Sequence, residues 1–147
     1  MRIEGKVIQG HGVASGKAGD PRYPEGTLAR QLPFFKAAGL DLGKYHLGTI
    51  NLDIHPYRYR IIEPFRFFSQ LQWSEFIPAE NFYFFNLTAY RKSDYYKGLI
   101  YMPDPETKVE HQQHSSTLEL LLPKIKDLNY GDILGIEVPH TQLRFLH

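Results

Sequence analysis

The 147-residue chain contains no cysteine, a single tryptophan and only two methionines. Without thiols there is no disulfide, no thiolate nucleophile and no Cys-containing zinc site. Charge of either sign is not in surplus: 17 Lys and Arg face 16 Asp and Glu, a formal net charge of +1. A protein whose main work is to neutralise a nucleic-acid backbone carries a basic excess, so the balance argues against nucleic acid as a partner. No apolar run approaches the roughly 20 residues needed to cross a bilayer. The opening Met1-Arg2-Ile3-Glu4-Gly5-Lys6 lacks the apolar segment of a secretory signal, and the expectation is a cytoplasmic protein with no membrane partner. There is no internal repeat, no low-complexity segment, no Gly-x-Ser-x-Gly nucleophile elbow and no helix-turn-helix.

What is abundant is aromatic. Ten Tyr and ten Phe, within a hydrophobic content of 42%, suit the half-buried surface of strands and supply a core for one domain spanning residues 1–147. Period-two alternation predicts a first strand over residues 2–9, with Ile3, Gly5 and Val7 on one side. Further strands are expected at 45–54, 57–68, 81–90, 95–102, 117–122 and 133–138, followed by a short tail. Residues 26–31 read as extended. Pro33 suits the first turn of a short helix over 33–38 that Gly39 stops. Many short strands, frequent turns and one short helix point to a mainly β protein, a small closed or nearly closed barrel.

Two segments carry chemistry in their residue types. Gly10, Gly12, Gly16 and Gly19 fall in ten residues, with Lys17 and Arg22 close by. A backbone without Cβ atoms can approach phosphate oxygens, and consecutive N–H groups can point at them. A loop of this length, residues 10–24, is expected to cover the mouth of a pocket. On the 45–54 strand, Thr49 and Asn51 project to the same side, opposite Ile50 and Leu52. Their neutral oxygens suit magnesium that takes its negative ligands from nucleotide phosphates. Asp53 continues that face and reads as structural. His111 and His114 form His-x-x-His without a third ligand nearby, and read as loop histidines.

Three blocks in order, residues 3–12 (Ile-Glu-Gly-Lys-Val-Ile-Gln-Gly-His-Gly), 48–52 (Gly-Thr-Ile-Asn-Leu) and 98–132, the last holding Gly98-Leu99-Ile100, His114-Ser115-Ser116, Glu119-Leu120-Leu121-Leu122-Pro123 and Gly131-Asp132, resemble the archaeal CTP-dependent riboflavin kinases. The resemblance implies a six-stranded cradle-loop barrel that transfers a phosphoryl group from a nucleoside triphosphate, CTP favoured, to riboflavin, giving FMN, with magnesium. It implies nucleotide contacts at Gly10, His11, Gly12, Val13, Ala14, Ser15, Gly16 and Lys17, and at Lys124 and Lys126. It implies magnesium ligation by Thr49 and Asn51, and flavin contacts at Glu119 and at Gln112, where the family has threonine. No catalytic residue is assigned. The sequence departs from the family at Val13-Ala14-Ser15 and in roughly ten extra loop residues. A barrel that binds a flavin or nucleotide without turnover is therefore the alternative.

Overall fold

Alternation makes β1 (Arg2–Ile8), in which Ile3, Gly5 and Val7 are buried while Arg2, Glu4 and Lys6 are exposed. The computed structural model describes residues 1–10, 15–107, 110 and 115–147. Chain order then gives β2 (Ile50–Asp53), β3 (Arg58–Ile61), β4 (Arg66–Leu71), β5 (Glu80–Arg91), β6 (Asp94–Pro103), β7 (Thr117–Leu121), β8 (Ile133–Glu137) and β9 (Leu143–Leu146), with one helix, α1 (Thr27–Ala37), among the described residues.

Seven strands form one antiparallel sheet in the order β4-β5-β6-β7-β2-β1-β8, and β8 returns to pair with β5 through Thr88↔Glu137, Ala89↔Ile136 and Tyr90↔Gly135. Six strands thus close a ring of pairings, with β4 outside it on the edge of β5. The remaining strands, β3 and β9, form a two-stranded ribbon. The protein is mainly β, as its composition and alternation predict.

Alternate positions of the ring feed two cores. One side collects Ile3, Val7, Leu52, Ile54, Phe85, Leu87, Ile100, Leu118, Leu120, Leu134 and Ile136 in a single buried cluster. The other side of β5, β6 and β7 contributes Phe82, Phe84, Leu99, Tyr101 and Leu121, on which α1 lays Leu28 and Phe35. Phe35 is fully buried and meets Phe82 and Phe84 edge-on, at 5.1 Å each. Burying such a ring is worth about 1.5–3 kcal/mol, which anchors a helix too short to persist on its own.

The helix differs from its expected position. Residues 27–31 are helical rather than extended, and Pro33 lies inside α1 rather than at its start. Leu28, Gln31 and Phe35 share one helical face and are the buried ones. That packing outweighs the hydrogen bond which Pro33 cannot donate to the preceding turn. The expected strand at 57–68 is broken into β3 and β4 around Pro64, and the tail after residue 138 forms β9 against β3. No helix among the described residues is long and apolar enough to cross a membrane.

Candidate functional site

At one end of the ring, β1 runs out beside β2 and β2 lies beside β7. Register places Asn51 across from Ile8 on one side and Glu119 on the other. Because Leu118 and Leu120 enter the ring core, Glu119 points to the opposite face, where Asn51 and Thr49 also project. The Thr49 hydroxyl donates to Glu119 Oε1 at 3.1 Å. Glu119 is only 8% exposed, so it is no solvated strand carboxylate. Asp53, further along β2, accepts from Ser116 Oγ and from the His55 backbone N–H, and ties the strand end together.

The glycine-rich loop reaches the same place. An ideal Cβ on Gly10 would stand 2.5 Å from Asn51 Cγ and 2.8 Å from its Oδ1. Only glycine lets the backbone approach the Asn51 amide this closely. Ser15 packs on Gly48, where a Cβ would fall 3.1 Å from Ser15 Cβ and where φ is +145°, a region that favours glycine. Gly16 sits against the backbone of residues 25–26 at the start of α1. Turns at Gly19 N–H to Gly16 O, Tyr23 N–H to Asp20 O and Gly26 N–H to Tyr23 O fold the following residues onto the body. Tyr23 is buried against Trp73 and donates to or accepts from Ser74 Oγ at 2.6 Å.

Five of the sequence-predicted residues, Gly10, Ser15, Thr49, Asn51 and Glu119, therefore converge, although they come from three separate parts of the chain. Gly16 follows directly, and Lys17 is exposed beside it. Lys124 and Lys126 are exposed on either side of buried Ile125. Arg91, the last residue of β5, donates from Nη1 to the Lys126 carbonyl at 2.7 Å, and the turn that follows is joined to β1 by Gly131 N–H to Val7 O (2.7 Å). His11, Gly12, Val13, Ala14 and Gln112 lie outside the described residues, as do His111 and His114.

Arg22, the second cation near the glycine-rich turn, is paired with carboxylates. Nη2 lies 2.9 Å from Asp20 Oδ2 and 2.9 Å from Glu110 Oε1, with Nε 3.2 Å from Asp20 Oδ1. The hydrogen bonds it donates to Asp20 and Glu110 hold it still more firmly charged than a free guanidinium. The Nε and Nη2 edge of the fork is thus committed to carboxylates.

Sequence reading also missed a second group. Outside the ring, Tyr101 of β6 lies directly across from Glu119, and its hydroxyl donates to Gln31 Oε1 of α1 at 2.6 Å. Burial, then the neighbouring Glu119 and Glu80, push the Tyr101 phenol well above its ordinary value, so it stays a neutral donor. Trp73 donates through Nε1 to Glu80 Oε2 at 2.7 Å, both side chains being 3% exposed. These residues come from α1, the segment after β4, β5 and β6, and no shared motif connects them in sequence.

No protein-family model matches the chain, and no curated protein matches it either.

Proposed function

We propose that the chain is a phosphotransferase that moves the terminal phosphoryl group of a nucleoside triphosphate, CTP favoured, to the hydroxyl of riboflavin or a close relative. In this reading the six-strand ring is a cradle-loop barrel. The observation that carries it is the convergence of Gly10, Ser15, Thr49, Asn51 and Glu119 at one end of the ring, the residues that the resemblance groups together. Transfer of a phosphoryl group asks a protein mainly for positioning and charge neutralisation. The closeness of Gly10 to Asn51 brings a phosphate-cradling backbone alongside a strand of oxygen donors. Lys17, Lys124 and Lys126 supply positive charge on the surrounding rim.

The donor set fits magnesium. Thr49 and Asn51 offer neutral oxygens and Glu119 a carboxylate 3.1 Å from the Thr49 hydroxyl, all hard ligands with no sulfur or imidazole among them. Thr49 and Asn51 would hold the ion, and its chemistry there is to neutralise charge on the phosphates. Glu119, hydrogen-bonded to Thr49 and largely shielded from water, orients the acceptor hydroxyl and receives its proton.

The test is FMN formation from riboflavin, magnesium and each of the four nucleoside triphosphates. CTP-dependent turnover is the expected result, and Asn51→Ala should lower it by about 10²–10³-fold, the usual cost of removing one positioned polar group from a charged transition state. Binding of flavin or nucleotide without any turnover would move the conclusion to a non-catalytic binding barrel. Absence of both binding and turnover would remove the reading.

A further inference from the structure

The charge balance of the whole chain hides a local excess. Residues 54–74 and 138–147 carry four of the eight arginines, Arg58, Arg60, Arg66 and Arg144, against one acidic residue, Glu63. Folding brings three of the four together. β3 and β9 pair antiparallel, with Arg60 directly across from Arg144 and Arg58 across from Leu146. Tyr59 and Phe145, the alternate residues of the same strands, pack against the core, which turns Arg58, Arg60, Arg144 and Leu146 to the outside. All four are exposed. Side chains directly opposite each other on such a ribbon start about 5 Å apart, and next-but-one residues of a strand about 6.5–7 Å apart. Three guanidinium groups thus share one small face.

Like charges directly opposite each other weaken a strand pair, and no carboxylate among the described residues relieves this one. The ion pairs there are made by Arg22 and Arg91. Arg144 gives its Nε to the His140 carbonyl at 3.2 Å, which steadies the side chain without neutralising it. An anion from outside would complete the face, and a guanidinium fork accepts carboxylate or phosphate. The rest of the face decides between them. A single-stranded nucleic acid is held by aromatic rings on which its bases stack, and Tyr59 and Phe145 are turned to the core. A membrane surface is held by a broad apolar face, and this one offers a single leucine. Leu146 beside three arginines suits a peptide whose acidic side chains alternate with apolar ones. We propose that the outward face of the β3–β9 ribbon docks an extended acidic segment of a partner protein, with carboxylates on Arg58, Arg60 and Arg144 and an apolar side chain on Leu146. Docking also steadies the ribbon, because a carboxylate between Arg60 and Arg144 replaces repulsion with ion pairing. It asks nothing of Thr49, Asn51 or Glu119, and is independent of phosphoryl transfer.

The probe is a synthetic nonapeptide that alternates glutamate with leucine and serine, titrated into the intact protein at low salt and followed by calorimetry. It is expected to bind, and to bind less tightly as salt rises. Its glutamine counterpart should bind about tenfold more weakly, the worth of one charge-assisted hydrogen bond. Arg144→Glu sets a carboxylate opposite Arg60 from within the chain. It should lower affinity for the glutamate peptide about tenfold and slow amide exchange in the ribbon without any peptide, as bound peptide does in the unaltered protein. Arg60→Gln removes one fork and should weaken the peptide by a similar factor. Should Arg144→Glu not fold, as judged by circular dichroism, Arg60→Gln and the glutamine peptide decide. Oligothymidylate and phosphatidylserine vesicles carry the two phosphate alternatives. No peptide binding, binding indifferent to both substitutions, or tighter binding of oligothymidylate or vesicles through the same arginines overturns the proposal.

Discussion

An ideal Cβ on Gly10 would fall 2.5 Å from Asn51 Cγ, so these two positions constrain each other whatever the protein binds. Gly10→Ala must displace the Asn51 amide, at a cost of about 1–3 kcal/mol for overpacking. In an Asn51→Ala background the space is free and most of that cost should vanish. A double-mutant cycle by urea denaturation checks this, and additive losses would show that the backbone simply moves aside. Tyr101 offers a second residue-level test. In the unfolded chain its phenol ionises near the usual value of about 10, whereas in the fold burial holds the proton on to higher pH. Above pH 10 the unfolded state then binds fewer protons than the folded one. Stability is therefore intact below that point and falls as pH rises through it. Tyr59, raised by burial, acts in the same direction. Tyr101→Phe should be less stable at neutral pH, because Gln31 Oε1 loses its donor, yet should show a flatter alkaline decline in denaturation midpoints between pH 8 and 11. At this scale the sequence was informative wherever a strand's period of two applied. It placed Thr49 and Asn51 on one face and Glu119 opposite its leucine neighbours. It could not assemble Gln31, Trp73, Glu80 and Tyr101, because α1, the 73–80 stretch and β6 meet there only through helix-on-sheet packing.

Helix α1 illustrates how a local rule loses to packing. Proline is favoured in a helix's first turn, which makes Pro33 look like a start and leaves 27–31 as strand. The buried spacing Leu28, Gln31, Phe35 was equally present in the sequence, but its weight depends on the aromatic shelf of Phe68, Phe82 and Phe84 that receives Phe35. Two substitutions separate these contributions. Phe35→Ala should cost about 3–5 kcal/mol, as for other large aromatic truncations in a core. Pro33→Ala, at an exposed position, restores an interior hydrogen bond and should stabilise by about 1–2 kcal/mol after allowing for the added freedom of the unfolded chain. Thermal and chemical denaturation read both, and a destabilised Pro33→Ala protein would contradict this account of α1. Strand boundaries in the middle of the chain were less legible because Tyr, Phe and Arg recur there without strict alternation, so the break between β3 and β4 rests on Pro64 alone.

Ring closure belongs to the whole molecule, and no local pattern announces it. β8 is short, yet it pairs with β1 on one side and β5 on the other, joining the first strand of the chain to strands near its middle and end. Leu134 and Ile136, fully buried, sit at that junction with Ala89. Opening the ring there would expose the main core to water along its length, so the amides of β5 and β8 at the closure are expected to exchange only when the whole protein unfolds. The β3–β9 ribbon has a different standing. It is two strands of four residues, held to the core by Tyr59, Leu143 and Phe145 while Arg58, Arg60, Arg144 and Leu146 face outward. Its cross-strand pair Arg60↔Arg144 sets like charges opposite each other, which weakens it further. Two-stranded units of this kind are marginal by themselves. Hydrogen exchange followed by mass spectrometry should therefore show Ala89 and Ile136 protected to the global limit, with the ribbon exchanging through a smaller opening that leaves the ring intact. Equal protection in both would mean that the ribbon is an integral stave of the core. Ring amides exchanging ahead of the ribbon would mean that β5–β8 pairing is not what holds the molecule shut.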